Sequence, residues 1–505
     1  MSDNKDISIG VAPTIVVPTI VVPTIVVPTI VVPTNIKQIM QQLIDNDFEV
    51  YIIGGFVRDS ILKHNVNDID LFTNATGKQI LNIFPNGIII GNEERQQKIL
   101  TVIVDDVEIS QFRKSGDRTK TGCNLNQHLK TCDLTINSIA CDINGTITDI
   151  NNGINDLNNG IIRFVGNANK RINEDLIRMM RFVRFSCKQH NVDQQQIDQE
   201  SINAIKLNSF KLNLISKQKI QSELLKILQY SNGIKMLIEC DLLNKIFPEY
   251  NKCINMQGGE NHNETVNNHL INSFERCCAI TDNVLLRLTC FLHDIGKGYT
   301  FSTESLTEKY EPALNLIDEQ SINPYESIDT LKYKIHFYNH DEMGYELMIH
   351  RLNYLKFSNN DINYITNLIK LHMYSYKSTP TKKSYIKFFN KLNKHNIPIE
   401  DYVMLLYCDH QSNLKKPRLK IGDFFKDNWL YEKYYELKYS DEPMTIKDLK
   451  ISGYDIMKYK NNDGTNIKGK QIGTLLNYLF ELVITGKIKN QFGELNIAIN
   501  EKLKC

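Results

Sequence analysis

Past its N-terminal tract, the chain changes hydrophobic rhythm along its length. Residues 35–168 carry short β-branched runs, Val50-Tyr51-Ile52-Ile53 and Leu100-Thr101-Val102-Ile103-Val104, punctuated by Gly and Asn. Such runs bounded by turn residues predict strands mixed with helices, an α+β head. Over 169–255, Leu, Ile and Met recur every three or four residues and no proline intervenes before Pro248, which predicts an all-α neck. Residues 256–412 keep the helical period and hold nine of the twelve histidines. The segment Lys415-Lys416-Pro417-Arg418-Leu419-Lys420 reads as a joint, and 413–505 as a last helical tail.

The N-terminal tract has a different character. Residues 13–32 are four copies of Pro-Thr-Ile-Val-Val, closed by Pro33-Thr34. The run is apolar enough to span a bilayer. Proline at every fifth position removes backbone donors from each helical turn, however, so no membrane helix is expected. Asp3 and Asp6 spoil a secretory leader, and the lack of Arg spoils a mitochondrial one. Residues 1–34 are therefore expected to be a disordered simple-sequence tract, with the fold starting near Asn35.

Composition narrows the class. A length of 505 residues implies two to four domains, and 42% hydrophobic with 23% charged residues excludes wholesale disorder. Lys+Arg 59 against Asp+Glu 58 leaves a net charge of +1, so any nucleic-acid contact must come from local patches. Eleven scattered cysteines with no C-x-x-C pair point to a reducing, cytoplasmic setting, and with no membrane helix expected no membrane partner is either.

The candidate chemistry begins at the first strand. Val50–Ile53 runs into Gly54-Gly55 and then a helical Phe56-Val57-Arg58-Asp59-Ser60-Ile61-Leu62. Two glycines between strand and helix let backbone approach a ligand, and the helix start offers N–H groups to phosphate. In Asn67-Asp68-Ile69-Asp70-Leu71-Phe72, side chains two apart on a strand share a face, so Asp68 and Asp70 can hold Mg²⁺ together. A solvated turn would have the same spelling. Glu108, in Val107-Glu108-Ile109-Ser110, would add a third carboxylate, and the loop Lys114–Gly122 is basic enough for a flap over phosphates.

Gly54-Gly55-Phe56-Val57-Arg58-Asp59, with Asp68-x-Asp70 behind it, resembles the signature of class II tRNA nucleotidyltransferases (CCA-adding enzymes) and bacterial poly(A) polymerases. Further segments follow in the family's order. Asp133-Leu134-Thr135-Ile136-Asn137-Ser138-Ile139-Ala140 is similar to R-R-D-F-T-I-N-A without its arginines. Asp149–Leu157 is similar to D-P-x-x-G-x-x-D-L. Glu174–Phe185 is similar to E-D-x-x-R-M-x-R-A-x-R-F, and Asp448–Met457 and Lys470–Leu476 resemble its C-terminal elements. The resemblance implies a polymerase-β-like nucleotidyltransferase head with all-α neck, HD and tail domains. It implies Mg²⁺-dependent addition of CTP and ATP to tRNA 3′ ends, with Asp68, Asp70 and Glu108 catalytic. Nucleotide contacts would come from Gly54, Gly55, Arg58, Asp133, Asn137, Asp175, Arg178, Arg181 and Arg184. Asp175 and Arg178, three apart, would share a helix face and match the donor–acceptor edge common to cytosine and adenine. One departure stands out. Thr131 and Cys132 replace two arginines, one of which would contact the nucleotide through charge-assisted hydrogen bonds of about 1.5–3 kcal/mol each.

Phe291-Leu292-His293-Asp294-Ile295-Gly296-Lys297-Gly298 supplies an adjacent imidazole and carboxylate. With His269 before it and His340, His372 and Asp409 after it, the order resembles the HD phosphohydrolase superfamily. That donor set suits Mn²⁺, Ni²⁺ or Co²⁺ and can activate water toward a phosphoester. His262, His336, His350 and His410 are given no role. Three alternatives stay open beside CCA addition: a poly(A)- or A-adding polymerase of the same superfamily, an HD phosphohydrolase whose head is inactive, and a catalytically inert tRNA-binding scaffold.

Overall fold

The computed structural model describes residues 29–64, 69–90, 101–114, 123–188, 196–259, 262–305, 333–376, 381–461 and 463–504. It divides into two compact units, one of residues 1–130 and 136–154, the other of 131–135 and 155–505.

The first unit is built on a seven-stranded sheet. Its strands are β1 (Val50–Ile53), β2 (Asp70–Thr73), β3 (Ile88–Ile90), β4 (Thr101–Val104), β5 (Val107–Gln111), β6 (Ile139–Cys141) and β7 (Ile147–Asp149), in the order β3-β4-β5-β2-β1-β6-β7. Only β2 and β5 pair in parallel; the other neighbours are antiparallel. Period-two alternation sets the faces: Leu71 and Ile109 are fully buried, while Asp70 and Glu108 are exposed. The helix Thr34–Ile44 covers the core with Ile36, Ile39, Met40 and Leu43, one stripe at helical spacing. The helix Gly77–Ile83 is fixed at its start by a capping box between Thr76 and Gln79.

The fold starts earlier than the repeat suggests. Ile30 and Val32, in the last Pro-Thr-Ile-Val-Val copy, are buried in this core, and the Ile30 N–H donates to Gly145 O at 3.1 Å. Composition marks the tract as repetitive, but its Ile and Val are also good core residues wherever an apolar groove meets them. Gly145 permits the contact. Its φ is +86°, and a Cβ there would lie 2.1 Å from Ile30 O.

The second unit is helical, as the 3.6-residue period requires. Its first helices include Ala168–Glu174, Arg178–Lys188 and Lys217–Ile227, and it continues through Val266–Cys278, Val284–Leu292, His340–Tyr354, Asn359–Leu371 and Ile399–Ser412. The Lys415–Lys420 segment is irregular and largely exposed, as a joint should be. Yet one buried cluster runs from Cys277 to Ile499, so no core boundary falls at residue 413. Among the described residues no helix is long and apolar enough to cross a membrane.

Candidate functional site

In the first unit, the turn after β1 is made by Gly54, whose φ of 92° belongs to glycine. Gly55 opens the next helix, and a Cβ built on it would meet open space. Only the first glycine is therefore needed for conformation, and the second leaves room beside the helix start. Arg58 is buried. Its Nε and Nη2 bind both Asp59 carboxylate oxygens at 2.8 and 2.9 Å, and its Nη1 donates to Asn137 Oδ1 at 2.5 Å. Both expected nucleotide ligands, Arg58 and Asn137, thus hold each other in place.

Asp70 and Glu108 are registered directly opposite one another on β2 and β5 and share the exposed face. Strands so paired lie about 4.8 Å apart. Like charges at that position repel unless a cation sits between them, and two hard oxygen donors suit Mg²⁺. Asp68 and the flap residues 115–122 lie outside the described residues.

In the second unit, the expected Glu174–Phe185 helix is broken. Ala168–Glu174 ends at Asp175, whose backbone is extended (φ −154°, ψ 105°), and a new helix starts at Arg178. Asp175 accepts from the Ile177 N–H at 3.4 Å, a capping role that aspartate prefers to a helix interior. Asp175 and Arg178 therefore do not share a helix face. Arg178 instead binds Glu174 at 2.9 Å, Arg171 O at 2.9 Å and Thr131 O at 2.8 Å. Thr131 thus engages this arginine through its backbone, where the family places a guanidinium on the side chain. Arg181 Nε meets Asp133 Oδ2 at 2.7 Å, and Arg184 Nε meets Glu223 Oε2 at 2.7 Å. The Asp133 carboxylate favours the charged guanidinium and so raises Arg181, overcoming the opposite pull of burial.

The same unit brings all six expected HD residues together. Asp294 Oδ1 lies 3.2 Å from His340 Nε2 and 3.4 Å from His372 Nε2. Its Oδ2 lies 3.5 Å from His293 Nε2 and 3.7 Å from His269 Nε2. Asp409 Oδ1 reaches His269 Nε2 at 3.1 Å. Local structure decides which nitrogens face the centre. His293, His340 and His372 each donate Nδ1–H to a carbonyl three residues earlier, Cys290 O at 2.9 Å, Phe337 O at 2.8 Å and Ile369 O at 2.5 Å. A carbonyl only accepts, so each neutral ring turns an Nε2 lone pair inward.

Two of those lone pairs, on His340 and His372, face each other at 3.2 Å beside a carboxylate oxygen. His293 Nε2 is buried with no hydrogen-bond partner among the described residues. Converging lone pairs and an orphaned buried nitrogen fit a divalent transition ion.

Asp294 is the shared member of two ligand groups, His269–His293–Asp294 and Asp294–His340–His372. Burial alone would raise its carboxyl, but the Lys297 ammonium at 2.6 Å leads the charges that hold it well below the usual range. Burial would likewise raise Asp409, and the hydrogen bond from His269 holds it well below that range. Burial would lower His269, and hydrogen bonds to Asp409 and Glu264 instead lift it to about 9.

Three supporting groups were missed in the sequence. Glu264 Oε1 binds His269 Nδ1 at 3.2 Å and His262 Nδ1 at 2.8 Å, the Ser412 hydroxyl stands 3.3 Å from His269 Nδ1, and Lys297 grips Asp294. Only Lys297, three residues after Asp294, left a readable signal. His336 lies in a strand pair beside Glu304, away from this set.

Residues 50–163 match the Poly A polymerase head domain family. The head is thus similar to that family over these residues. Residues 196–254 match a second family, described as a probable RNA and SrmB-binding site of polymerase A. The CCA-adding enzyme of Oceanobacillus iheyensis is 34% identical over 160 residues, 29% of this chain and 39% of that protein. That of Staphylococcus aureus (strain Newman) is 35% identical over 159 residues, 30% and 39% of the two chains. The match thus spans about two-fifths of the curated relatives' length. Among solved structures, the Bacillus stearothermophilus CCA-adding enzyme in complex with CTP aligns over 92% of this chain and 96% of its own, with a TM-score of 0.57 at 19% identity. The Thermotoga maritima CCA-adding enzyme complexed with tRNA aligns over 93% and 96%, with a TM-score of 0.50 at 17% identity. At those identities the likeness concerns the fold.

Proposed function

We propose that this protein is a tRNA nucleotidyltransferase that completes 3′ CCA ends from CTP and ATP in the cytoplasm. The observation that carries this reading is the exposed Asp70–Glu108 pair, set by parallel register in a head of this family. With Asp68, these carboxylates would hold Mg²⁺, whose charge offsets the negative charge of a triphosphate. The tRNA 3′-hydroxyl attacks the α-phosphate, the bond to the β-phosphate oxygen breaks, and pyrophosphate leaves in line. Gly54 and Gly55 leave space beside the helix start for phosphate oxygens, and Arg58 with Asn137 stiffens that turn. Arg178, Arg181 and Arg184 on one helix, with Asp175 just before it, would contact the nucleotide. Asp133 positions Arg181, a role compatible with loss of the two arginines at Thr131 and Cys132. Ten free cysteines among the described residues suit a reducing compartment.

The test is incorporation of each labelled NTP into tRNA lacking CCA, with Mg²⁺ present and Asp70→Ala as the blank. Incorporation of CTP and ATP alone supports the reading; none above the blank removes it.

A second activity has its own observation, the gathering of Asp294 and five further candidate ligands in one cluster. His269, His293, Asp294, His340, His372 and Asp409 would hold Mn²⁺, Ni²⁺ or Co²⁺, which supplies an activated water for phosphoester hydrolysis. Glu264 and the three backbone carbonyls orient the rings, and Lys297 offers a cation beside the phosphate. Hydrolysis of a 2′,3′-cyclic phosphate with each of these ions, lost in His293→Ala, is the expected result. Hydrolysis unchanged in His293→Ala would sink this assignment.

A further inference from the structure

The helices Val266–Cys278, Val284–Leu292 and Ile399–Ser412 carry a second constellation that none of the chemistry above uses. Cys277, Cys290 and Cys408 come one from each helix, all are fully buried, and their three Sγ atoms lie within 4.8 Å of one another. None is in a disulfide. We propose that these three thiols form a binding site for one soft or borderline d¹⁰ metal ion.

The geometry is close to what such an ion demands. Three sulfurs at a metal–sulfur distance of about 2.3 Å stand about 4 Å apart in a trigonal plane, so little movement is needed. The helices are rigid parts of one packed core, which orders the donors before any ion arrives. All three donors are sulfur, which selects Zn²⁺, Cd²⁺ or Cu⁺ over Mg²⁺ or Mn²⁺. With a divalent ion the step balances simply: three S–H bonds break, three metal–sulfur bonds form, and three protons pass to solvent. The product carries one negative charge, and hydrogen bonds from Cys290 and Cys408, followed by the buried Arg287 guanidinium, favour charge at Cys277 against the pull of burial.

The position gives the site a consequence. The same helices lead into or carry His269, His293–Asp294 and Asp409, so an ion here would pin together the elements that present the HD ligands. The two sites would sort metals by donor type, sulfur here and nitrogen with oxygen there. The inference stands whether or not the HD centre hydrolyses anything.

Full-length protein, reduced and stripped of metal, should be titrated with Cd²⁺ while its ultraviolet thiolate-to-cadmium charge-transfer band is followed. Nitrogen and oxygen ligands give no such band, so the HD centre is silent. The band should saturate at one equivalent per chain, persist in His340→Ala, and be lost in Cys277→Ser, Cys290→Ser and Cys408→Ser. Should the serine variants not fold, cadmium NMR of the wild-type protein replaces them, and a resonance in the three-sulfur region is expected. Absence of the band, its survival in Cys277→Ser, or a cadmium signal confined to the nitrogen–oxygen region overturns the proposal.

Discussion

At the scale of single residues, charge and burial determine what each group can do. Arg58 is buried and bonds both Asp59 and Asn137, so Arg58→Ala removes charged hydrogen bonds to a carboxylate and an amide. A loss of about 3 kcal/mol is expected, measured by urea unfolding. His128 gives a pH prediction. Its ring lies between Phe72 and Phe112, and its Nδ1 accepts the Arg113 backbone N–H at 3.0 Å. Burial, reinforced by Arg113, depresses it to about 3 from 6.5. A depressed histidine is neutral when folded, so its contribution is full above the unfolded value and is lost as pH falls from 6.5 toward 3. Stability should drop there by up to about 1.4 kcal/mol per pH unit more in the wild type than in His128→Asn. Equal slopes would contradict this.

At the same scale, Asp70, His293 and Asp294 were legible because a strand or a short string gave them away. Glu264 and Ser412 were not, since contact with His269 depends on how distant segments pack. The Asp175–Arg178 pair was misread because a single period was carried through a helix break that aspartate itself caps.

At the scale of elements, close packing decides what a substitution does. Ile30 is buried and Val31 is 88% exposed, although both belong to one repeat copy. Ile30→Ala should cost about 2–4 kcal/mol and Val31→Ala close to nothing by thermal unfolding. Equal effects would remove the repeat's last copy from the core. Gly296 matters for a different reason. A Cβ there would lie 2.0 Å from His340 O and 2.7 Å from Gly344 N. Gly296→Ala must push the His340–Tyr354 helix off the turn that carries Asp294, and the Mn²⁺ binding proposed for that centre should weaken about tenfold or more by calorimetry. The strands, the helical neck and the histidine-bearing helices could be read from periodicity. The buried Ile30 and the core running across residue 413 could not, because neither leaves a periodic mark.

At the scale of the whole molecule, two chemistries are proposed for one chain. One is nucleotidyl transfer by a head with carboxylates at Asp70 and Glu108; the other is a histidine–aspartate centre in the helical unit. The first is the central claim, and its most direct measurement is the sequence of what is added. tRNA ending before CCA is incubated with the protein, Mg²⁺ and all four NTPs, and the 3′ ends are then sequenced. The expected ends are C, C, A and a stop, with no extension by Asp70→Ala or Glu108→Ala. Long adenosine tails, or ends left unchanged by the wild-type protein, would contradict that claim.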